Sequence, residues 1–268
     1  MKNKYQCCNQ CIMDTSDPKI IFDDDGICNH CYEYQDAIKI DSNEKNAFKK
    51  QITNMHKIDS KYNCIIGLSG GLDSSFLLLH AVKDLGLKPL AVHVDNGWNT
   101  GLANYNIAKQ LKILNIDLHT EVLDWEEFRL MQLAILDAGV PDLEAPTDIF
   151  INYSIRNIAK KYNIKYILFG TNPQTEAVMG SNWSYGQRDP IYLKNLYIRF
   201  TGSKSKKLPF HNWYKMLFRG MFKEEIVRPL KFIPFERKKV VSRCVKELGW
   251  VEYPRKHGES FITRFYQN

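Results

Sequence analysis

The sequence contains no run of apolar residues near the roughly 20 that a membrane-spanning helix requires. Its first six residues, MKNKYQ, also lack the apolar core of a secretory signal peptide. The 268 residues are 44% hydrophobic and 25% charged, which is the balance of a folded globular protein. A chain of this length buries a substantial core. We therefore expect one main domain with a smaller unit, located in the cytoplasm and not bound to a membrane.

No lysine stands in the glycine turn at residues 69–75, which reads SGGLDSS. The turn follows the apolar run 64–68 and precedes a second apolar segment, which predicts a strand, a turn and a helix in succession. Gly70 and Gly71 can adopt positive φ, and serine hydroxyls with free N–H groups at a helix N-terminus favour an anion. Asp73 stands where a Walker-type loop carries lysine, which excludes that class of nucleotide site. The pattern predicts phosphate binding, and the alternative is a serine-rich helix cap with two glycines.

Four of the seven cysteines form two Cys-x-x-Cys pairs with metal-ligand spacing. They are Cys8, Cys11, Cys28 and Cys31. In a cytosolic chain this spacing favours a metal over disulfides, because two such pairs place four thiolates around Zn²⁺ and leave no open coordination position. We predict a small structural zinc ribbon. Cys7 and His30 are competing ligands, and a redox-active dithiol is the second alternative.

From residue 62 onward, short apolar strands alternate with amphipathic helices. The predicted strands are 62–68, 89–94, 117–123 and 166–169. The predicted helices are 74–85, 103–114, 125–138 and 148–162. This alternation predicts an α/β fold with a doubly wound parallel sheet, in which ligands bind at the carboxyl ends of the strands.

Two further strand ends carry polar residues. Residues 93–98 read HVDNGW, and residues 170–176 read GTNPQTE. Because the carboxyl ends of parallel strands meet at one edge of the sheet, we expect both segments to lie beside residues 69–75. Asp95 and Asn172 have an alternative role as turn formers, which is common for these residue types.

From residue 181 the alternation stops and a segment rich in aromatic residues begins, of a kind that often recognises a second ligand. A helix is predicted at 234–248, followed by a polar and aromatic tail at 256–266. The net charge of +7, with a basic and aromatic tract at 204–215, is compatible with nucleic-acid binding. It is equally compatible with an enzyme that gathers anionic substrates, so charge alone does not decide.

The string SGGLDSS resembles the PP-loop of the ATP pyrophosphatase superfamily, whose members cleave ATP between the α and β phosphates. Together with the cysteine pairs and residues 12–18, 26–31 and 170–173, it makes the chain resemble the N-acetyl sugar amidotransferases of bacterial surface-polysaccharide biosynthesis, such as that of lipopolysaccharide O-antigen. The resemblance covers nearly the whole chain. Family members usually continue further, so we expect part of a C-terminal region to be missing here.

The resemblance implies four segments and a set of site residues. The segments are a zinc ribbon at 1–35, a helical linker at 36–61, a PP-loop ATP-binding domain at 62–180 and a substrate-binding C-terminal region at 181–268. The implied catalytic residues are Asp73 and Ser69. The implied ATP-binding residues are Ser69, Gly70, Gly71, Asp73, Ser74, Ser75, His93, Val94, Asp95, Gly170 and Thr171. The implied substrate-binding residues are Asn96, Trp98, Asn172, Glu176, Trp183, Arg188, His257 and Glu259.

The resemblance further implies conversion of an acetamido group on a nucleotide-linked N-acetyl sugar into an acetamidino group. ATP, Mg²⁺ and structural Zn²⁺ are the implied cofactors. The chain has neither a cysteine at position 2 nor a Gly-x-Cys-x-Gly elbow, so we expect it not to hydrolyse glutamine. A separate glutaminase with a synthase-like subunit would then supply ammonia.

A tRNA-thiolating enzyme is the main alternative, because some of these enzymes join a cysteine-rich zinc module to a PP-loop. Thiolation uses additional cysteines near the ATP site, and only Cys64 and Cys244 follow Cys31. These two cysteines form no pair, so we expect neither sulfur transfer nor a nucleic-acid partner. A non-enzymatic binding module is a further alternative, which leaves the intact SGGLDSS loop unexplained.

Overall fold

A computed structural model describes residues 5–140, 142–172, 174, 189–208 and 224–266. Within these residues, short strands form a five-stranded parallel sheet. The strands are β1 (Cys64–Gly67), β2 (Pro89–Asp95), β3 (Leu118–Val122), β4 (Tyr166–Leu168) and β5 (Glu225–Val227). Their order across the sheet is β3-β2-β1-β4-β5. The chain therefore adds β2 and β3 on one side of β1 and then β4 and β5 on the other side, so the order of strands reverses between β1 and β4. In parallel α/β sheets, ligands bind outside the carboxyl ends of the strands at such a reversal point.

Helices cover both faces of the sheet, which confirms the predicted doubly wound fold. They are α1 (Asn29–Ile38), α2 (Ser42–His56), α3 (Leu72–Leu79), α4 (Gly101–Leu114), α5 (Trp125–Asp137), α6 (Ala145–Lys161), α7 (Pro190–Thr201), α8 (Arg237–Leu248) and α9 (Phe261–Tyr266). A π-helical turn, His80–Asp84, continues α3. Ile65 and Ile66 are both fully buried, and they point to opposite faces because side chains alternate along a strand. Ile66 packs with α3, α4 and α8, and Ile65 packs with α6.

A separate apolar cluster joins α5, α6 and α7. Phe128 and Phe150 meet edge to face at its centre, and both side chains are fully buried. Leu193 and Tyr197 of α7 complete this cluster. Helix α7 and strand β5 were not predicted from the sequence. Strand β5 pairs with β4, so the sheet includes residues from the segment after residue 181.

Helix α2 packs against the core of the sheet domain. Its N-terminal residue is preceded by Asp41, whose carboxylate accepts a hydrogen bond from the Glu44 N–H. Met55 is fully buried, and the Phe48 ring stacks on Phe232 with 4.3 Å between ring centroids. These contacts fix the helical segment that follows the cysteine-rich region.

The cysteine-rich segment has little regular structure before α1. Single antiparallel bridges join Cys7 to Asp14 and Phe22 to Cys28. The four paired cysteines and Met13 form its small interior. None of the helices in the described ranges is both long and apolar enough to cross a membrane.

Candidate functional site

The glycine turn lies between β1 and α3, as the sequence predicts. Gly71 is the N-cap of α3, so the N–H groups of the first helical turn lie just after it. Gly70 has φ +81°, and a methyl group at this position would lie 2.8 Å from the carbonyl oxygen of Ala103. Two independent constraints, the left-handed backbone and the close approach of α4, therefore require glycine here.

Replacing Gly70 by alanine tests these constraints. The matched control is Gly202→Ala, because Gly202 has φ +71° and nothing within 4 Å of an added methyl group. We expect Gly202→Ala to lower the free energy of unfolding by about 1–2 kcal/mol from backbone strain alone. Gly70→Ala adds the clash with Ala103 and should cost about 2–5 kcal/mol in total. Equal losses in denaturant titrations of the two variants would contradict this account.

Serine hydroxyls fix the shape of the turn. The Ser69 Oγ lies 3.1 Å from the Ser74 Oγ and accepts a hydrogen bond from the Gly71 N–H at 3.3 Å. The Ser74 hydroxyl accepts a hydrogen bond from the Ser69 N–H and donates one to the Gly71 carbonyl. Ser75 is fully buried, and its hydroxyl has no partner among the described residues. The turn is thus held in one shape by its own side chains.

A C-terminal segment holds the turn from the other side. The Gly70 carbonyl accepts hydrogen bonds from the Trp250 indole N–H at 3.0 Å and from the Tyr253 hydroxyl at 2.9 Å. Burial raises the pKa of Tyr253 to about 12, so the phenol remains a donor at neutral pH. Asn106 of α4 exchanges two hydrogen bonds with the backbone of Val251 and anchors this segment.

The carboxyl end of β2 is tied to the turn through His93. One ring nitrogen, Nδ1, lies 2.8 Å from the Leu68 carbonyl, and Nε2 lies 2.9 Å from the Asn99 amide nitrogen. A neutral imidazole with its proton on Nδ1 satisfies both contacts, which assigns that tautomer. His93 is therefore a buried link between β1 and β2 with both nitrogens engaged by protein groups.

The end of β2 leads into a turn at residues 95–98. The carboxylate of Asp95 accepts a hydrogen bond from the Gly97 N–H, and the side-chain oxygen of Asn96 accepts one from the Trp98 N–H. The Trp98 indole N–H donates to Gln132 at 2.8 Å, and its ring meets Trp125 edge to face. Val94 is buried in the sheet. The turn-forming role considered for Asp95 is thus present in the structure.

The carboxyl ends of β4 and β5 lie beside the turn on its other side. A methyl group on Gly170 would lie 3.5 Å from the backbone of Asp73, so this glycine packs on the first turn of α3. The Thr171 hydroxyl accepts a hydrogen bond from the Arg228 Nε at 3.2 Å. Asn172 is fully buried, and its side-chain oxygen accepts a hydrogen bond from the Gln174 N–H, the turn-forming role considered for it.

The exposed guanidinium of Arg228 stands at this edge because it directly follows β5. The position of Arg228 at this edge could not be predicted from the sequence, because a three-residue strand has too weak a pattern to be recognised. Three of the predicted substrate-binding residues, Glu176, Trp183 and Arg188, lie outside the described residues.

The tail residues His257 and Glu259 reach the same place. The Glu259 carboxylate is 3.4 Å from where a methyl group on Gly71 would stand, and it lies 3.7 Å from the His257 Nδ1. Burial, and then the Glu259 carboxylate, raise the pKa of Asp73, while Lys256, His257 and Arg237 oppose that shift. Two carboxylates at the head of α3 are suited to binding a divalent cation together with a polyphosphate. Asp73 and Glu259 would hold Mg²⁺ in such an arrangement.

The four paired cysteines converge on one point. All four sulfurs lie within 4.8 Å of one another, and three sulfur pairs are separated by 3.5–3.8 Å. A tetrahedral site with Zn–S bonds of about 2.3 Å has edges of about 3.8 Å, so the sulfur geometry fits zinc. Backbone N–H groups of Gln10 and Cys28 point to the Cys8 sulfur at 3.3 and 3.2 Å, as hydrogen bonds that favour a thiolate.

The competing ligands lie away from this point. Both ring nitrogens of His30 face carboxylates, with Nε2 2.8 Å from Asp17 and Nδ1 3.3 Å from Glu33. Cys7 is exposed, and its sulfur contacts the Cys11 carbonyl. The structure therefore selects the four-cysteine set over the sets that include Cys7 or His30.

Comparison with known proteins gives partial matches. The chain is 30% identical to GMP synthase (glutamine-hydrolyzing) from Thermosipho africanus over 131 residues, which covers 46% of this chain and 24% of that protein. It is 45% identical to tRNA(Ile)-lysidine synthase from Chlamydia caviae over 56 residues, which covers 21% of this chain and 17% of that protein. These relatives point to the PP-loop ATP pyrophosphatase superfamily. The chain thus spans about a quarter or less of the length of these two curated relatives.

Among solved structures, NMN synthetase from Francisella tularensis matches 89% of this chain and 83% of its own, with a TM-score of 0.42 and 15% sequence identity. No family model matches the chain. The superfamily is therefore the level that the comparisons reach. The PP-loop signature is carried by Ser69, Gly70, Gly71, Asp73 and Ser74, and the narrower resemblance to N-acetyl sugar amidotransferases remains a prediction.

Proposed function

We propose that this chain is an ATP-dependent amidotransferase of the C–N ligase type, acting on an acetamido group of a nucleotide-linked N-acetyl sugar. The observation that carries the proposal is the PP-loop at the head of α3, which contains Asp73 and no lysine and has Glu259 beside it. The names of the two curated relatives, both synthases, support ATP-dependent bond formation at such a loop. The cysteine pairs and the polar tail support the narrower assignment.

The first step is adenylylation of the amide oxygen. That oxygen attacks the α-phosphorus of ATP, a P–O bond forms, and the bond to the β phosphate breaks to release pyrophosphate. The loop N–H groups and the α3 N-terminus bind the phosphates, because the helix dipole favours negative charge there. Arg228, beside Thr171, is placed to bind an anionic phosphate at the same edge of the sheet. Mg²⁺ held by Asp73 and Glu259 would neutralise charge on the polyphosphate.

The second step replaces oxygen by nitrogen. Ammonia attacks the activated carbon, a C–N bond forms, and AMP departs with the former amide oxygen. The chain contributes mainly by orienting the two substrates and excluding water, since neither step requires a covalent intermediate with the protein. Zinc has a structural role, since four cysteine thiolates leave no position for a substrate. A glutaminase with a synthase-like subunit would deliver the ammonia.

The cysteines disfavour the thiolation alternative. All seven cysteines lie in the described residues, and four of them form the metal cluster. Cys64 and Cys244 are fully buried, and burial raises the pKa of the Cys244 thiol to about 12. A thiol of that kind is neither accessible nor ionised at neutral pH, whereas persulfide carriers and cluster ligands are both. The remaining cysteine, Cys7, is exposed and belongs to the cysteine-rich segment, where its sulfur contacts the Cys11 carbonyl. The described sheet domain therefore offers no accessible thiol for sulfur transfer.

Isotope incorporation tests the proposal. The purified chain is incubated with ATP, Mg²⁺, ¹⁵N-ammonium chloride and a panel of nucleotide-linked N-acetyl sugars, and the products are analysed by mass spectrometry. We expect one sugar of the panel to gain one ¹⁵N atom and lose the oxygen of its acetamido group, without any glutaminase present. Incorporation of sulfur from a sulfide donor into tRNA under the same conditions would support the alternative instead.

A further inference from the structure

Three buried oxygen atoms near the C-terminal helix α9 have no hydrogen-bond partner among the described residues. They are the Glu144 Oε1, the Thr147 Oγ1 and the Tyr266 hydroxyl. Thr147 is 8% exposed, so water does not reach its hydroxyl from the surface. Native proteins rarely leave buried polar groups unsatisfied, and several at one place indicate a ligand.

The three atoms belong to one place in the fold. Glu144 is the N-cap of α6, and Thr147 lies three residues later on the same side of the helix. Thr263 of α9 donates a hydrogen bond from its hydroxyl to the Glu144 Oε2 at 2.8 Å, which leaves Oε1 as the free acceptor. Tyr266 lies three residues after Thr263, on the same side of α9. Burial, and then the Glu144 carboxylate, raise the pKa of Tyr266, in agreement with this placement. Helices α6 and α9 therefore bring these oxygen atoms to one polar site, which we call the pocket.

The charged groups that act on Glu144 in this pocket are carboxylates. Burial is the main cause that raises the pKa of Glu144, and the carboxylates of Asp148, Asp142 and Glu259 add to it. Within the described ranges Glu144 forms no ion pair with a lysine, arginine or histidine. A ligand that fits must carry positive charge and donate several hydrogen bonds to separate oxygen acceptors. A small ammonium ion does both.

Glu259 connects the pocket to the PP-loop. Its carboxylate stands beside Gly71, and it raises the pKa of both Asp73 and Glu144. Glu259 is therefore near both the loop and the pocket. The backbone of the tail is fixed there by hydrogen bonds from the Thr100 N–H to the Glu259 carbonyl and from the Phe261 N–H to the Trp98 carbonyl.

We infer that Glu144, Thr147 and Tyr266 form an ammonium-binding site that supplies the nitrogen nucleophile to the PP-loop. The inference rests on the proposed function, in which ammonia attacks the activated carbon. The Glu144 carboxylate provides the charge, and the Thr147 and Tyr266 hydroxyls accept the remaining hydrogen bonds. The ammonium ion gives one proton to the Glu144 carboxylate and leaves as neutral ammonia, which is the nucleophile. Glu259 then marks the short path from this pocket to the substrates bound at the loop.

Ammonium binding is measured without turnover by thermal unfolding of the full chain. Ammonium chloride replaces sodium chloride at constant ionic strength, and parallel titrations use potassium chloride and tetramethylammonium chloride, which has no N–H donor. We expect ammonium to raise the melting temperature of the wild-type protein and tetramethylammonium to leave it unchanged. Equal stabilisation by potassium would overturn the assignment to ammonium.

Glu144→Gln keeps the shape of the side chain and removes its charge. It should weaken ammonium binding about 10- to 100-fold, as expected for loss of one charge-assisted hydrogen bond. The matched control is Glu126→Gln, which removes an exposed carboxylate on α5 and should leave ammonium binding unchanged. Tyr266→Phe provides a second variant if Glu144→Gln does not fold. Unchanged ammonium binding in both pocket variants would overturn the inference.

The outcomes separate this inference from the proposed function. Nitrogen incorporation with normal ammonium dependence in Glu144→Gln would leave the function intact and remove the pocket from it. Ammonium binding that depends on Glu144, with no nitrogen incorporation from any sugar, would support the pocket and contradict the proposed reaction.

Discussion

Replacing Asp73 by asparagine is expected to reduce AMP formation from ATP by about 10²- to 10⁴-fold, because metal-assisted charge stabilisation at a phosphoryl site contributes several kcal/mol. Asp73 lies in the first turn of α3, next to the loop that binds the phosphates. Burial and the Glu259 carboxylate raise its pKa, so a bound cation would favour its charged form. Asparagine keeps the size of the side chain and cannot supply that charge.

The same substitution should not destabilise the fold. An ionised carboxylate with a raised pKa lowers the free energy of unfolding. This destabilisation is present at neutral pH and is lost as the pH falls through the folded-state pKa. Removing the charge at neutral pH should therefore leave the melting temperature of Asp73→Asn unchanged or higher. A variant that loses activity while keeping its stability separates a role in the reaction from a role in the fold.

Asp84→Asn is the matched control, because it should change stability and leave activity unchanged. Two hydrogen bonds of 2.7 Å from Arg243 lower the pKa of Asp84 against a desolvation effect that raises it, and His80 lowers it further. This carboxylate stabilises the fold above its unfolded-state pKa, and the stabilisation is lost as the pH falls through the folded-state pKa. We expect Asp84→Asn to lower the melting temperature and keep AMP formation. Retained AMP formation in Asp73→Asn would contradict the site assignment.

Replacing Cys28 by serine is expected to remove zinc and to unfold the segment before α1. The Cys28 sulfur lies 3.5 Å from that of Cys11 and 3.8 Å from that of Cys31, and the side chain is fully buried. Apparent zinc-binding free energies of about 10 kcal/mol or more exceed what so small an interior supplies by itself. The zinc content measured by metal analysis should fall from about one zinc per chain to a small fraction of that value.

Cys7→Ser is the control for the zinc prediction, because Cys7 adjoins Cys8 in sequence but is exposed and lies outside the cluster. It should retain zinc and normal stability. Helix α2 packs against the sheet domain through Phe48 and Met55, so the sheet domain should remain folded in Cys28→Ser. Zinc retention in Cys28→Ser together with loss in Cys7→Ser would show that the ligand set is wrong.

Local patterns were sufficient to predict the sheet and its loop. The run at 64–68 is apolar, the residues after it are small, and the next segment is apolar with helical spacing, so each local preference agrees with the fold. The structure places β1 at Cys64–Gly67 and begins α3 at Leu72, within two residues of the predicted ends on the loop side. The Cys-x-x-Cys pairs were equally clear, because thiolate spacing is set by the metal.

Contacts between distant parts of the chain could not be predicted in this way. The hydrogen bonds from Trp250 and Tyr253 to the Gly70 carbonyl join residues 180 and 183 positions apart. Strand β5 has three residues, and it pairs with β4 although the two strands are far apart in the sequence. The resemblance implies that His93 binds ATP, whereas the structure shows both of its ring nitrogens within hydrogen-bond distance of protein groups.

The nucleotide product of ATP cleavage tests the central claim most directly. ATP, Mg²⁺, ammonium and the panel of nucleotide-linked N-acetyl sugars are mixed with the purified chain, and the nucleotides are separated by anion-exchange chromatography. The account predicts AMP and pyrophosphate in equal amounts, formed only when an accepted sugar is present. Formation of ADP and inorganic phosphate would contradict it, because a loop without a lysine for the β and γ phosphates is not built for transfer of the γ-phosphoryl group.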